Sequence, residues 1–289
     1  MSKSDLRSDA EPRRWRVWLR VLATVLAIAA CALLAVVAWI YFSQHSMIYH
    51  PRPYPAAYAR VLPKTCVEID YVLPIGRQTA FYLPGRDRIP KRLWLAFCGN
   101  GSLALDWTGL LDRYPPNGDG FLLIDYPGYG RNAGYATIDS TRATTNGALK
   151  ALMSQLNITK DQMELAVIGH SLGAAAALDF AARHSVRRAV LISPFTSLRE
   201  EAAYVVGRWL SHLLIENYDN RKNLRTVFER NSDVQVAIFH GTDDDTIPVG
   251  MGAELKQGFP RVDYFPIDGA DHGTVLSYAK NQIIAWMAR

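Results

Sequence analysis

Apolar and polar positions change rhythm several times along the chain, and each change marks an element. From 21 to 42 the run "VLATVLAIAACALLAVVAWIYF" holds no charged residue. At about 1.5 Å per residue, a helix of that length reaches roughly 33 Å, enough to cross a bilayer core. Aromatic, proline-rich "SQHSMIYHPRPYP" follows and predicts a stalk lying on the domain or on the membrane surface. Two strand-like runs, "CVEIDYVLP" and "RQTAFYLP", come next, with turn residues at 74–76 between them. Beyond them, short apolar runs alternate with amphipathic ones. Strands are expected at "RLWLAFCG", "FLLIDYPG", "ELAVIGH", "RAVLISP", "VQVAIFHG" and "VDYFPI". Helices are expected over 103–114, 139–157, 171–184, 249–257 and 273–288, with helical patterns across 198–229. This alternation predicts an α/β fold: a mostly parallel sheet covered by helices on both faces, with the first, antiparallel pair flanking one edge.

Composition narrows the class. Of the 289 residues, 49% are hydrophobic, which suits one or two globular domains with a sizeable core. The net charge is +5, but residues 1–20 alone carry six basic residues against three acidic ones. The globular part is therefore nearly neutral and shows no basic stripe for nucleic acid. Three cysteines, Cys31, Cys66 and Cys98, make neither a disulfide framework nor a metal-ligand cluster, and no metal site is expected.

The basic N-terminus matters for topology. Trp18 and 39–41 sit near the ends of the uncharged span, where amphipathic rings prefer the interface. The positive-inside rule then places residues 1–20 in the cytoplasm and 43–289 on the periplasmic or lumenal side. A cleaved signal peptide would have an apolar region of about 7–15 residues, shorter than this one. A lipoprotein box, "AIAAC" ending at Cys31, is the alternative, but the apolar run continues for eleven residues beyond it. The expected organisation is a basic tail at 1–20, an anchor at 21–42, a stalk at 43–63 and a globular domain at 64–289, with a small lid at about 196–232.

The chemistry centres on "VIGHSLGAA". A bare GxSxG proves little in a chain this long, and Ser171 alone could be a helix N-cap. Its context is more specific. The motif falls where a strand ends and a helix begins, as a nucleophile elbow requires. Gly169 and Gly173 leave room for strand and helix to approach. A serine hydroxyl needs a base and an orienting acid. Downstream, "IFHGTDDDTIP" brings three adjacent carboxylates, and "DGADHGTV" brings His272 on a loop after the last strand. The other histidines have structural readings: His240 packed at the end of an apolar strand, His170 shaping the elbow, and the rest on the stalk or on helices.

Several stretches together carry a resemblance: "QHSMIYHPRP", "CGNGS", "DYPGYGRNAG", "GHSLG", "SPFTSLRE", "HGTDDDTIP" and "GADH". Roughly residues 44–289 resemble the α/β-hydrolase superfamily, in its membrane-anchored branch. The resemblance implies an α/β-hydrolase fold, Ser171 as nucleophile, His272 as base and Asp244 as acid, with Asp243 or Asp245 as register alternatives. It also implies an oxyanion hole built from the backbone amides of Leu172 and Asn100, with Gly101 next in line. Cys98 stands where the family commonly has His. Asp125, a rival acid before a Gly-rich turn, reads as structural. Residues 202–215 are apolar beyond what one buried face needs, which suits core packing, an acyl-chain wall or a membrane-facing patch.

The expected activity is that of a membrane-anchored serine hydrolase acting on ester, thioester or lipid acyl bonds, without a cofactor. Its expected partners are a small-molecule or lipid acyl substrate and, through 21–42, the membrane. No acidic or aromatic subsite in the sequence marks a peptidase. A serine peptidase, or a non-catalytic scaffold or receptor on the same fold, is the rival reading.

Overall fold

The computed structural model describes residues 11–289, apart from 61, 88 and 116. Residues 1–10 of the expected basic tail lie outside the described residues. Two compact units divide the chain, one ending at His45 and one spanning Ser46–Arg289. The first is the body of a long helix, α1 (Glu11–Ile48), which extends beyond both ends of the expected 21–42 span. Its apolar part, Trp15–Ile48, has a mean hydropathy of 2.8 in its most apolar window, none of it buried against protein. By length and composition it is a candidate membrane span.

The second unit is built on one eight-stranded sheet. Its strands are β1 (Val67–Leu73), β2 (Gly76–Leu83), β3 (Arg92–Phe97), β4 (Asp119–Ile124), β5 (Glu164–His170), β6 (Arg188–Ile192), β7 (Gln235–Gly241) and β8 (Asp263–Ile267). They run in the order β1-β2-β4-β3-β5-β6-β7-β8. β1 pairs antiparallel with β2 and β2 antiparallel with β4, while every later pairing is parallel. The antiparallel pair thus caps one edge, as the sequence pattern predicts.

Alternation within each central strand separates two cores. Leu93, Leu95, Phe97, Leu165, Val167, Ala189, Leu191, Val236 and Ile238 point to one face. Trp94, Ala96, Ala166, Ile168, Val190, Ile192, Ala237 and Phe239 point to the other. Both sets are buried because helices cover both sides, which is why these strands read as unbroken apolar runs. Helices α3 (Ile138–Leu156), α4 (Leu172–Arg183), α6 (Asn220–Arg230) and α7 (Val249–Gly258) supply the first face. Helices α2 (Thr108–Leu111), α8 (Val275–Tyr278) and α9 (Lys280–Met287) supply the second. Helix α5 (Leu198–Val206) lies in the segment after β6.

Several expected helices are shorter or divided, each for a local reason. Over 103–114 a 3-10 turn at Ala104–Trp107 precedes α2. There the amides of Leu103 and Ala104 are taken by the carboxylates of Asp106 and Asp125, which tightens the first turn. The 198–229 pattern breaks at Gly207, whose φ of 83° ends α5. The 273–288 pattern divides at Ala279, where ψ is −1°.

From Ser46 on, the chain belongs to the second unit, and Tyr49 is 2% exposed in its core. Within the expected lid at about 196–232, residues 197–219 form a closed excursion. Ser197 and Asp219 form an antiparallel bridge at its base. The amides of Leu198 and Asn220 donate across that base to the carbonyls of Tyr218 and Thr196.

Candidate active site

The carboxyl ends of β3, β5, β7 and β8 meet at one edge of the sheet, where open α/β sheets place their sites. The turn after β5 carries Ser171 at φ 58° and ψ −124°, a strained conformation for a residue with a Cβ. The flanking glycines explain how the turn closes. A Cβ on Gly169 would lie 2.1 Å from the Gly173 carbonyl oxygen, and one on Gly173 would lie 2.1 Å from that of Phe97. Both are backbone clashes, so strand and helix approach this closely only because neither residue has a side chain. Ser171 is 8% exposed, and its hydroxyl makes no hydrogen bond among the described residues. A closed Ser171–His272 hydrogen bond is therefore not present, a common situation before a substrate aligns the groups.

The loop after β7 separates the three carboxylates. Asp244 is buried, and its Oδ1 accepts the amides of Thr246 (3.1 Å) and Ile247 (2.8 Å). Its Oδ2 bonds His272 Nδ1 at 2.8 Å and lies 3.5 Å from His240 Nε2. Asp243 and Asp245 are exposed and take only the hydroxyls of Thr242 and Thr246. Burial disfavours the Asp244 carboxylate, but the nearby His240 Nε2 and hydrogen bonds from His272 and the Ile247 amide outweigh it. Its pKa therefore lies well below the usual carboxylate range. An ionised carboxylate only accepts, so His272 Nδ1 carries the hydrogen, and in the neutral ring Nε2 is the nitrogen with the lone pair.

His272 packs against His170, with ring centroids 4.8 Å apart. His170 Nε2 lies 3.1 Å from the His272 carbonyl oxygen. Burial, followed by the nearby His272, lowers the His170 pKa to about 4, so the ring is neutral near pH 7. Its Nε2–H then donates to that carbonyl and ties the elbow to the His272 loop. His240 is fully buried and donates from Nε2 to the Ile247 carbonyl at 2.8 Å, consistent with its structural reading.

The loop after β3 lies alongside. The room for a Cβ at Gly99 ends 3.4 Å from His170 Nδ1 and 3.7 Å from Ser171 Cβ. The amides of Asn100 and Leu172 donate no hydrogen bond among the described residues. Asp125 is not part of this cluster. Its Oδ1 accepts the Ala104 amide at 2.7 Å and its Oδ2 accepts the Tyr54 hydroxyl at 2.7 Å, while burial pushes it up to about 6. Cys98 is buried, and burial raises its thiol further above its already high value.

One group escaped the sequence reading. Glu201 on α5 has an oxygen, Oε2, that is buried without a partner, and it lies within electrostatic reach of His272 and Asp244. Burial, and then the Asp244 charge, push it up to about 7, partly opposed by His272. In the sequence it is one of two adjacent glutamates on an amphipathic helix, and only the fold turns it inward. A cavity of about 260 Å³ opens beside the site, lined among others by Cys98, Gly99, Trp107, Leu110, His170 and Leu276. Much of the apolar stretch 202–215 is exposed, at Tyr204, Val205, Trp209 and Ile215, while Leu214 packs against the core. Among the described residues no cluster of His, Cys, Asp and Glu is arranged to hold a metal ion.

Comparison with known proteins gives this geometry a family context. The family model for serine aminopeptidase, S33, matches residues 110–263. An uncharacterized protein of Mycobacterium tuberculosis is 31% identical over 245 residues, covering 80% of each chain. Human alpha/beta hydrolase domain-containing protein 17B is 27% identical over 181 residues, 62% of this chain and 58% of that protein. Among solved structures, an esterase of Pyrococcus furiosus superposes with a TM-score of 0.62 at 14% identity, covering 83% of this chain and 98% of the other.

Proposed function

We propose, from the premise that this chain belongs to the serine aminopeptidase S33 family of α/β hydrolases, that it is a membrane-anchored serine hydrolase cleaving ester, thioester or lipid acyl bonds. The observation that carries this reading is the 2.8 Å bond between His272 and buried Asp244, at the same sheet edge as Ser171 in its strained turn. In this mechanism Ser171 Oγ attacks the acyl carbonyl while His272 Nε2 takes the hydroxyl proton. Asp244 holds the ring and balances the imidazolium. The carbonyl oxygen becomes an oxyanion, and the free amides of Asn100 and Leu172 supply the donors it needs. Collapse breaks the bond to the leaving alkoxide or thiolate, which takes the proton from His272. Water, deprotonated by the same imidazole, then releases the acid from the acyl-enzyme.

The cavity beside Gly99 and His170 is small and mostly apolar. It lies below the ~300–1,000 Å³ of sites that hold drug-sized ligands, which favours a short acyl or alcohol group. The apolar helix supports anchoring, and the arginine-rich N-terminus supports a cytoplasmic tail with the catalytic domain on the periplasmic or lumenal side. Exposed Trp209 and Tyr204 favour the membrane-facing reading of the lid.

One observation favours a second reading. The unpartnered Glu201 carboxylate suits a substrate amino group, as in a peptidase acting at amino termini. The test is fluorophosphonate labelling of the full chain, followed by turnover of acyl esters of graded length and of aminoacyl amides. Labelling and ester turnover are expected in the wild type, absent in Ser171→Ala and reduced by orders of magnitude in Asp244→Asn. Asp243→Asn should be mild. Equal turnover by wild type and Ser171→Ala would end the mechanism, and preference for aminoacyl amides would select the second reading.

A further inference from the structure

The segment directly after the apolar helix is tied into the loop that follows β3. In its extended run, alternate residues grip that loop. The His50 amide donates to the Asn100 carbonyl at 3.1 Å and to the Tyr129 hydroxyl at 2.7 Å. Arg52 pairs with Asp106 at 2.5 Å, and Asp106 also accepts the Leu103 amide at 2.8 Å. The Tyr54 hydroxyl donates to Asp125 at 2.7 Å and accepts the Leu105 amide at 3.3 Å. The Gly130 amide, next to Tyr129, returns to the Arg52 carbonyl at 2.9 Å.

These bonds fix peptide planes. In a planar trans peptide the N–H points opposite the C=O, so holding one fixes the other. Three consecutive carbonyls are held. That of Cys98 accepts the Tyr126 hydroxyl at 2.7 Å, and that of Gly99 accepts the Ser102 amide at 3.2 Å. That of Asn100 accepts both the Tyr129 hydroxyl, at 2.6 Å, and the His50 amide. The Asn100 N–H belongs to the middle plane, and both neighbouring planes are clamped by buried tyrosines.

We propose that His50–Tyr54, together with Tyr129, forms a strap that positions the Asn100 amide for catalysis, so that the link between apolar helix and domain is part of the catalytic machinery. This rests on the serine-hydrolase reading above. Tyr129 is a positioning residue: its hydroxyl acts on the Asn100–Gly101 peptide and touches no reacting atom. Its loss leaves the nucleophile, base and acid in place but frees the loop that carries an oxyanion donor. The defect should therefore appear where charge develops on the carbonyl oxygen, in kcat, and not in ground-state binding.

The experiment compares Tyr129→Phe and Tyr71→Phe in the full chain, with p-nitrophenyl butyrate as substrate. Tyr71 is a control for loss of a tyrosine hydroxyl bond, because its hydroxyl donates to the Thr144 carbonyl at 2.9 Å, away from the loop. Tyr129→Phe is expected to lower kcat about tenfold with KM within about twofold, less than the ~10²–10³ lost with an oxyanion donor itself. The fluorophosphonate labelling rate should fall in parallel. Tyr71→Phe should keep both rates, whatever it does to thermal stability. Should Tyr129→Phe fail to fold, Arg52→Ala carries the test, since that pair is half exposed; its kcat should fall about threefold at constant KM. Equal kcat for the strap variants and Tyr71→Phe, or a change in KM alone, would overturn the strap. Absence of any Ser171-dependent turnover in the wild type would instead overturn the hydrolase reading.

Discussion

Replacing Ser171 by glycine should stabilise the protein while abolishing its chemistry. At φ 58° and ψ −124° the serine Cβ is held in a region that costs about 1–3 kcal/mol for a residue other than glycine. Ser171→Ala keeps that Cβ and so keeps the strain. It also removes a hydroxyl that makes no hydrogen bond among the described residues, so its stability should stay close to the wild type. Ser171→Gly removes the strain, against which the greater freedom of glycine in the unfolded chain costs roughly 0.5–1 kcal/mol. The net gain over alanine is about 1 kcal/mol, or ~2–4 °C in Tm for a unit of this size. Thermal unfolding of the three proteins in one detergent, followed by circular dichroism, gives the order directly. Glycine should melt highest, with alanine and serine together below it. If Ser171→Gly melted at or below Ser171→Ala, the strain argument for the elbow would be refuted, even with both variants inactive.

Two further outcomes follow from the same region and from the helix. His170 has its pKa lowered to about 4 against an ordinary value near 6.5, so the unfolded chain binds a proton that the fold refuses. Stability should therefore fall as pH drops from about 6.5 to 4, by about 1–3 kcal/mol after allowance for partial exposure, and then level off. His170→Gln should lose that part of the slope in urea midpoints measured at pH 7.5 and 4.5; His184, lowered in the same way, contributes equally to both proteins. Identical slopes would refute the assignment. For topology, protease added to sealed right-side-out cells should digest 43–289 and spare an N-terminal tag. A protected C-terminal tag on membrane-bound protein would reverse the orientation, and a mature chain starting at Cys31 would favour lipoprotein processing.

Local pattern carried much of this structure. The strand ending at His170, the glycines around Ser171 and the placement of His272 after the last strand were all legible, because each is a short-range signal. The choice among Asp243, Asp244 and Asp245 was not, on the residues alone. It depends on the Thr246 and Ile247 amides turning back onto one carboxylate, which a run of three identical side chains does not reveal. Glu201 was missed because helical periodicity does not say which of two neighbouring glutamates faces a site. The strap was missed for another reason: Tyr54 and Asp125 are 71 residues apart, and no periodicity reports a bond of that span. Helix ends were misjudged where a single residue decided them, as at Gly207 and Ala279.

The bridge between Ser197 and Asp219 has an evolutionary consequence. Because the 197–219 excursion leaves and rejoins the framework at adjacent points, its interior can be lengthened, shortened or exchanged without moving any strand. Ser171, Asp244 and His272 all lie outside it, whereas Glu201, Tyr204 and Trp209 lie inside. Under the proposed mechanism, selection can therefore act on what the protein accepts and on how it is cleaved through separate stretches of chain. A transplanted lid closing on the same two residues would bring a new clientele to unchanged chemistry.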